Sequence, residues 1–146
     1  MVALGLGGPL VAGVIGLAGP YDFLPIKDPV LQTIFTSAAE LSQTQPITHA
    51  HGEAPPMFLA TGGKDRVVLP RNSTALAARL RALGGVVETR IYPSLGHIDI
   101  LLTILPYFAW RAPVWRDVLG FIADCRSGVL VRPHSENAAI VIRRSS

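Results

Sequence analysis

The chain has 146 residues, of which 49% are hydrophobic and 16% carry a charge. This length fits one domain, and the composition excludes a disordered protein and a coiled coil. A single cysteine, Cys125, excludes an internal disulfide framework and a cysteine-based zinc site. The 13 basic residues behind the net charge of +3 are mostly arginines scattered singly, so we predict no nucleic-acid partner.

The uncharged stretch at residues 1–19 is long enough for a membrane-spanning helix. Glycines and Pro9 interrupt it repeatedly, and no lysine or arginine precedes it as in a signal peptide. We therefore predict no membrane span. Instead, a Gly-Gly-Pro turn leads into a buried strand. The compartment stays undetermined, with a cytoplasmic location as the favoured expectation.

Short apolar runs bounded by turn residues predict three strands, at 12–18, 57–60 and 86–92. The continuous apolar character of the first run is typical of a strand buried on both faces of a parallel sheet. The polar segment 42–56 predicts a loop. Four other segments have helical spacing or capping residues: 28–34, 72–83, 98–105 and 114–122.

Two of the predicted helices also show which residues should cap them or face the core. Leucines at i, i+4 and i+7 give the helix at 72–83 one apolar face. Asn72 or Ser73 is a suitable N-cap for it, and Gly84-Gly85 is a suitable stop. In the helix at 114–122, four residues are spaced for a buried face: Trp115, Val118, Leu119 and Ile122.

The alternation of strands and helices predicts an α/β fold with a partial parallel sheet flanked by helices. A sheet of three strands is thin, and the strand at 12–18 would lie at its edge unless another strand pairs with it. This is a first indication that part of the fold lies outside the sequence. Residues 127–146 are weakly patterned and predict a weakly structured tail, in which 129–131 and 138–142 are either marginal strands or parts of the loose tail.

Two polar residues follow predicted strands in a pattern that favours catalysis. Asp65 lies in a Gly-Gly-Lys-Asp turn after the second strand, and His97 lies in a Ser-Leu-Gly-His turn after the third. Functional groups of open α/β sheets collect at the carboxyl ends of the strands. Either residue alone is more often a simple turn residue. As an ordered pair with a helix between them, they favour the acid and base of a hydrolytic triad.

Three segments resemble α/β-hydrolase esterases of the carboxylesterase and lipase-like branch. AGVIGLAGPYDF resembles the strand and loop after the nucleophile helix, PPMFLATGGKDRVV the strand and turn of the acid, and RIYPSLGHIDIL those of the histidine. The resemblance covers residues 1 to about 125. It implies that Asp65 is the triad acid and His97 the triad base, acting on a small-molecule ester.

The sequence departs from that family at the nucleophile. It has no G-x-S-x-G motif and no HGGG-type oxyanion loop, and none of its serines lies in an elbow between a strand and a helix. The resemblance therefore implies that residues 1–126 are the C-terminal half of an α/β-hydrolase domain without its nucleophile half, followed by the tail at 127–146. Because triad members act as a unit, we expect the chain alone to be inactive.

Three hypotheses follow for a chain of this kind. It is a truncated serine carboxylic-ester hydrolase, a hydrolase completed by an N-terminal half-domain from another chain, or a non-catalytic binding domain of the same ancestry. The first two assign the intact protein the hydrolysis of a carboxylic ester. An amide or formamide substrate would leave the same two residues in place.

Weaker candidates surround the pair. Tyr21 and Phe23 follow the first strand, in a loop that lies near the substrate pocket in the resembling family, and they are predicted to bind substrate. Packing of these aromatic rings under the loop explains them at least equally well. Asp99 lies two residues after His97 and is a second carboxylate that could orient the imidazole, although local geometry disfavours it.

A metal site is the remaining alternative. His49-x-His51, with Glu53 nearby, has the spacing of metal ligands. In a loop rich in proline, threonine and glutamine such a pair is more often solvated, so we predict no metal site. The hydrolytic reaction implies no cofactor.

Overall fold

The computed structural model of the chain describes residues 11–26, 28–35 and 40–130. Three 3-10 helices lie in its connections: Leu41–Thr44, Pro46–His49 and Pro106–Arg111. Each of the three strands and four helices predicted before residue 127 is present, with its ends shifted by a few positions. In chain order these elements are β1 (Val14–Leu17), α1 (Pro29–Phe35), β2 (Met57–Gly62), α2 (Arg71–Ala82), β3 (Val87–Tyr92), α3 (His97–Leu102) and α4 (Val114–Arg126).

The three strands form one parallel sheet in the order β1-β2-β3. Val14 aligns with Met57 and Met57 with Val87, so the carboxyl ends of the strands lie at the same edge of the sheet. The predicted α/β class is thereby confirmed. Within the described residues β1 is an edge strand, as expected. The prediction that it is buried on both faces is wrong, because none of the residues Val14–Leu17 is buried and Ile15 is 38% exposed.

The central strand β2 contributes to two apolar clusters, one on each face of the sheet. Phe58 packs with Phe121 of α4, and Leu59 packs with Leu76 and Leu80 of α2. Successive side chains of a strand point to opposite faces, so consecutive buried residues of β2 serve both clusters. Burying one such side chain contributes about 1.5–3 kcal/mol. These two layers hold the ends of β2 and β3, and the turns that follow them, in fixed positions.

The first two helices differ at their N-termini, because α1 has a side-chain cap and α2 has none. Asp28 Oδ1 accepts the backbone N–H groups of Val30 and Leu31, which explains why α1 begins at the Asp-Pro pair. The predicted N-cap of α2 is wrong: the helix begins at Arg71, and both Asn72 and Ser73 are buried within its first turn. The predicted stop of α2 is confirmed, because Gly84 has a φ of +80° that favours glycine.

The buried face of α4 differs from the predicted one. Val114, Val118 and Phe121 are buried, whereas Trp115 and Leu119 are 44% and 47% exposed. Both sets have helical spacing, and periodicity alone could not decide between them because nearly every turn of this helix carries two apolar residues. Of the predicted face only Val118 is buried, and Ile122 is also exposed.

Smaller differences lie in the connections. The segment 42–56 contains two 3-10 helices, and α3 begins at His97 and ends at Leu102. Residues 127–130 form turns, so no strand begins at Val129. No helix of the described residues is long and apolar enough to cross a membrane. The Gly-Gly-Pro turn, Val131 and the weak strand at 138–142 lie outside the described residues.

Candidate functional site

The turns after β2 and β3 bring Asp65 and His97 together. His97 Nδ1 lies 2.8 Å from Asp65 Oδ2. The Asp65 side chain is fully buried, and the His97 side chain is 22% exposed. The two residues meet because their strands are adjacent and parallel, so both turns lie at the carboxyl edge of the sheet. The structure corrects one detail of the prediction, since His97 is the first residue of α3 rather than a turn residue.

The second oxygen of the Asp65 carboxylate is also occupied. Asp65 Oδ1 accepts the backbone N–H groups of Val67 at 2.9 Å and Val68 at 2.8 Å. These bonds fix the carboxylate so that Oδ2 faces the imidazole. An ionised carboxylate can only accept hydrogen bonds, so Nδ1 of His97 donates and Nε2 keeps its lone pair. The geometry therefore orients His97 as a general base that acts through Nε2.

Two glycines allow the turns to approach each other this closely. Gly63 N–H donates to Tyr92 O at 2.8 Å, and Lys64 N–H donates to Leu95 O at 2.9 Å. A Cβ atom at Gly62 would lie only 2.3 Å from Leu95 O. The Gly-Gly pair is visible in the sequence, where it indicates only a local turn. In the structure, glycine is needed at these positions because the two turns lie in close contact.

Tyr92 is a positioning residue that sequence analysis missed. Its carbonyl accepts both Gly63 N–H and Leu95 N–H, which belong to the acid turn and the histidine turn. Its hydroxyl donates to Asp117 Oδ2 of α4 at 2.8 Å. Burial, together with this hydrogen bond and the charge of Asp117, raises the pKa of Tyr92. Tyr92 thereby joins the two turns to α4, a link that no sequence pattern indicates because its partner lies 25 positions away.

Asp99 does not orient His97. Its Oδ2 accepts the backbone N–H of Gly96 at 2.9 Å, and its Oδ1 pairs with Arg111 at 2.9 Å. Both contacts belong to the start of α3 and to the 3-10 helix at Pro106–Arg111. Asp99 therefore stabilises the helix that begins with His97. Neither of these bonds involves His97 Nδ1.

We expect Asp99→Ala to lower the free energy of unfolding by about 1 kcal/mol, because it removes one helix-capping hydrogen bond and a partly exposed ion pair with Arg111. Urea unfolding measures this change. The His97 imidazole should keep the same tautomer by NMR, since its bond to Asp65 is untouched. A change of tautomer in Asp99→Ala would mean that Asp99 shares the orienting role.

The structure places Tyr21 and Phe23 in packing contacts. Tyr21 packs against the cluster around Leu59, and burial raises the pKa of its hydroxyl. The ring of Phe23 lies 5.7 Å from the ring of Phe35, centroid to centroid. Neither contact decides whether these rings meet a substrate, so their predicted role in substrate binding stays a prediction.

His49 of the candidate metal pair has a local explanation. Within residues 11–26, 28–35 and 40–130, no group of three or more histidine, cysteine, aspartate or glutamate side chains could hold a metal ion. His49 Nε2 lies 2.7 Å from the carbonyl oxygen of Gln43. Burial and the charge of Asp124 raise the pKa of the Cys125 thiol, which disfavours the nucleophilic thiolate. Cys125 is therefore a poor substitute for a serine nucleophile.

A comparison with protein families decides the ancestry of this site. The model of the prolyl oligopeptidase family matches residues 28–124, which include β2, β3, Asp65 and His97. The chain belongs to the prolyl oligopeptidase family. The predicted resemblance to hydrolases is confirmed at this level. A comparison with curated proteins found no match.

Solved structures show which fold this member of the prolyl oligopeptidase family has. A sugar hydrolase from Lactococcus lactis matches with a TM-score of 0.60 and 20% identity, over 81% of this chain and 48% of its own. A truncated carbohydrate esterase from gut microbiota matches with a TM-score of 0.59 and 18% identity, over 80% and 43%. A thermophilic esterase from Thermogutta terrifontis matches with a TM-score of 0.55 and 16% identity, over 86% and 45%.

These likenesses show the α/β-hydrolase fold. This member of the prolyl oligopeptidase family spans less than half the length of each matched structure. The partial parallel sheet flanked by helices is thus a portion of the α/β-hydrolase fold, as predicted.

Proposed function

We propose that this chain supplies the acid and the base of a serine hydrolase that cleaves carboxylic esters. The observation that carries the proposal is the 2.8 Å contact between His97 Nδ1 and the fully buried Asp65 carboxylate. A buried carboxylate that orients an imidazole is two-thirds of a catalytic triad. The chemistry requires neither a metal nor a cofactor.

In the proposed reaction, a serine Oγ attacks the carbonyl carbon of the ester while His97 Nε2 takes its proton. Collapse of the tetrahedral intermediate breaks the bond to the alkoxide, which receives that proton from His97, and leaves an acyl-serine. Water then attacks the acyl-serine with His97 again as base, which releases the acid. Asp65 holds the ring and stabilises its charged form throughout.

The serine must come from outside the 146 residues, because no G-x-S-x-G motif is present in them. We propose that residues 1–126 are the C-terminal part of the hydrolase domain, and that the nucleophile lies on further polypeptide, either continuous with this chain or a separate N-terminal half-domain. The outer edge of β1 supports this arrangement, because within the described residues no strand pairs there. An additional strand could extend the sheet at that edge.

Two observations bear on the substrate. Two of the three structures that share the fold are named as esterases, one of them a carbohydrate esterase, which supports an ester of a small molecule. The family name suggests peptide bonds as the second candidate. The same acid and base serve both reactions, since each requires a proton to be taken from serine and given to a leaving group.

Matched chromogenic substrates separate the two candidates. The chain is combined with a polypeptide that carries the G-x-S-x-G elbow, and kcat/KM is measured on p-nitrophenyl acetate and on p-nitroacetanilide. These share the acyl group and the chromophore and differ only in the bond cleaved. We expect saturable turnover of the ester and no measurable turnover of the anilide, whose amide bond is intrinsically the less reactive of the two. Saturable turnover of the anilide would contradict the proposal, because only a site that cleaves peptide bonds needs to activate that bond.

The same substrates test the need for a nucleophile. Without the added polypeptide, we expect the chain to hydrolyse p-nitrophenyl acetate no faster than an equal concentration of imidazole. Saturable turnover by the chain alone, lost in His97→Ala, would show that it already contains a complete site. If the chain is folded and soluble but no polypeptide with the G-x-S-x-G motif activates it, the non-catalytic binding domain would be favoured.

A further inference from the structure

The outer edge of β3 carries a row of backbone groups that point away from the sheet. The N–H of Met57 donates to Val86 O, and the N–H of Gly63 donates to Tyr92 O. The backbone N–H and C=O groups of the even-numbered residues of β3 therefore point toward β2. Because backbone groups alternate along a strand, those of Val87, Thr89 and Ile91 point outward. In the described part of the chain, no strand pairs with this side of β3.

Arg81 occupies the first of these outward carbonyls. From the last turn of α2, its Nη2 donates to Val87 O at 3.0 Å and to the hydroxyl of Thr89 at 3.2 Å. The guanidinium therefore lies across the strand edge, where the N–H of an added strand would have to lie.

Arg90 occupies the next outward carbonyl. Its Nη1 donates to Thr89 O at 3.3 Å, and its Nη2 pairs with Glu88 Oε1 at 2.6 Å. Thr89 and Arg90 are consecutive, so their side chains lie on opposite faces of the sheet. The two guanidiniums thus reach the same edge from both faces.

We propose that Arg81 and Arg90 prevent this edge of β3 from pairing with the same strand of a second copy of the chain. An incoming strand would have to displace both guanidiniums from their carbonyls, which costs the hydrogen bonds made there, and would bring the like-charged arginines of two copies together. A cavity of about 260 Å³ lies beside the edge, and Arg81 and Arg90 both line it together with Val87 and Thr89.

Removal of both guanidiniums tests the proposal. The double variant Arg81→Met/Arg90→Met keeps unbranched side chains and removes all the donors. Amide hydrogen exchange at Thr89 and Ile91 is followed by NMR at low and at high protein concentration. We expect exchange of these outward amides to slow by at least about tenfold at high concentration in the variant, and to be independent of concentration in the natural sequence.

The control is Arg79→Met/Arg126→Met, which removes two exposed arginines of α2 and α4 and lowers the net charge by the same amount. Its Thr89 and Ile91 amides should exchange as in the natural sequence. Association through β1 would protect amides of β1 and leave these two unchanged, so the measurement is specific for the β3 edge.

If the double variant does not fold, Arg81→Met alone retains the Glu88–Arg90 pair and should give a smaller slowing of about threefold. Concentration-independent exchange in a folded variant overturns the proposal. So does the same slowing in the natural sequence, because the edge would then pair despite both arginines.

Discussion

Asp65→Asn is expected to lower kcat by about 10⁴ in the hydrolase completed with its nucleophile, the size of loss typical when the base of a triad takes the wrong tautomer. The reason lies in the two backbone N–H groups that Asp65 Oδ1 accepts. In the variant the amide oxygen takes that position, and the NH₂ group faces His97 Nδ1 as a donor. Nδ1 must then accept, the hydrogen moves to Nε2, and the imidazole can no longer take a proton from serine. Steady-state kinetics on p-nitrophenyl acetate measure the loss.

Asp99→Asn is the matched control for this prediction. It makes the same chemical change two residues from His97, at a carboxylate that contacts Gly96 and Arg111 instead of the imidazole. We expect its kcat to stay within about threefold of the natural sequence, because Asp99 helps to hold α3 but not the tautomer. Equal losses in the two variants would mean that Asp65 has no special relation to the base.

Gly62→Ala is expected to destabilise the fold by about 2–3 kcal/mol and to separate Asp65 from His97. The added Cβ would lie 2.3 Å from the carbonyl oxygen of Leu95, which is backbone and cannot rotate away. The two turns would have to move apart, at the cost of the bonds from Gly63 to Tyr92 and from Lys64 to Leu95. Urea unfolding measures the stability, and the His97 Nδ1 proton signal reports on the separation.

Gly120→Ala is the control for Gly62→Ala, since a Cβ atom at Gly120 meets nothing within 4 Å. Gly120 lies inside α4, where alanine is favoured over glycine by about 0.5–1 kcal/mol. We therefore expect this variant to gain stability and to leave the His97 signal unchanged. A Gly62→Ala protein as stable as the natural sequence would show that the close approach of the turns is not needed.

The sequence was sufficient for the features that depend on local pattern. Apolar runs bounded by glycine and proline predicted β2 and β3, and helical spacing with Gly84-Gly85 predicted α2 and its end. Parallel strands place their carboxyl ends together, so the position of Asp65 and His97 after two such strands was enough to predict that they meet. This prediction required the order of the elements and not their exact boundaries.

Features that depend on contacts between distant residues could not be predicted. Both apolar faces of α4 fit the period of a helix, and only packing on the sheet selects Val114 and Phe121 over Trp115 and Leu119. The hydrogen bond of Tyr92 to Asp117 joins residues 25 positions apart. The contact of Gly62 with the carbonyl of Leu95 is likewise invisible until the two turns are placed side by side.

The position of Asn72 shows the same limit at shorter range. Its amide is a good N-cap by residue type, but the oxygen accepts Asp22 N–H at 2.8 Å and the nitrogen donates to Leu69 O at 3.1 Å. Asn72 thus ties the loop after β1 to the segment before α2, and the helix begins one residue earlier. The Asn72 side chain therefore makes a long-range hydrogen bond instead of the helix cap that its residue type favours.

The tautomer of His97 is the most direct test that Asp65 and His97 form a catalytic acid–base pair, and the chain alone suffices for it. Long-range ¹H–¹⁵N NMR of the imidazole, recorded at a pH where the ring is neutral, identifies the nitrogen that carries the hydrogen. We predict hydrogen on Nδ1 in the natural sequence and on Nε2 in Asp65→Asn. Hydrogen on Nε2 in the natural sequence would contradict this prediction, because Nε2 would then have no lone pair for the proton of serine.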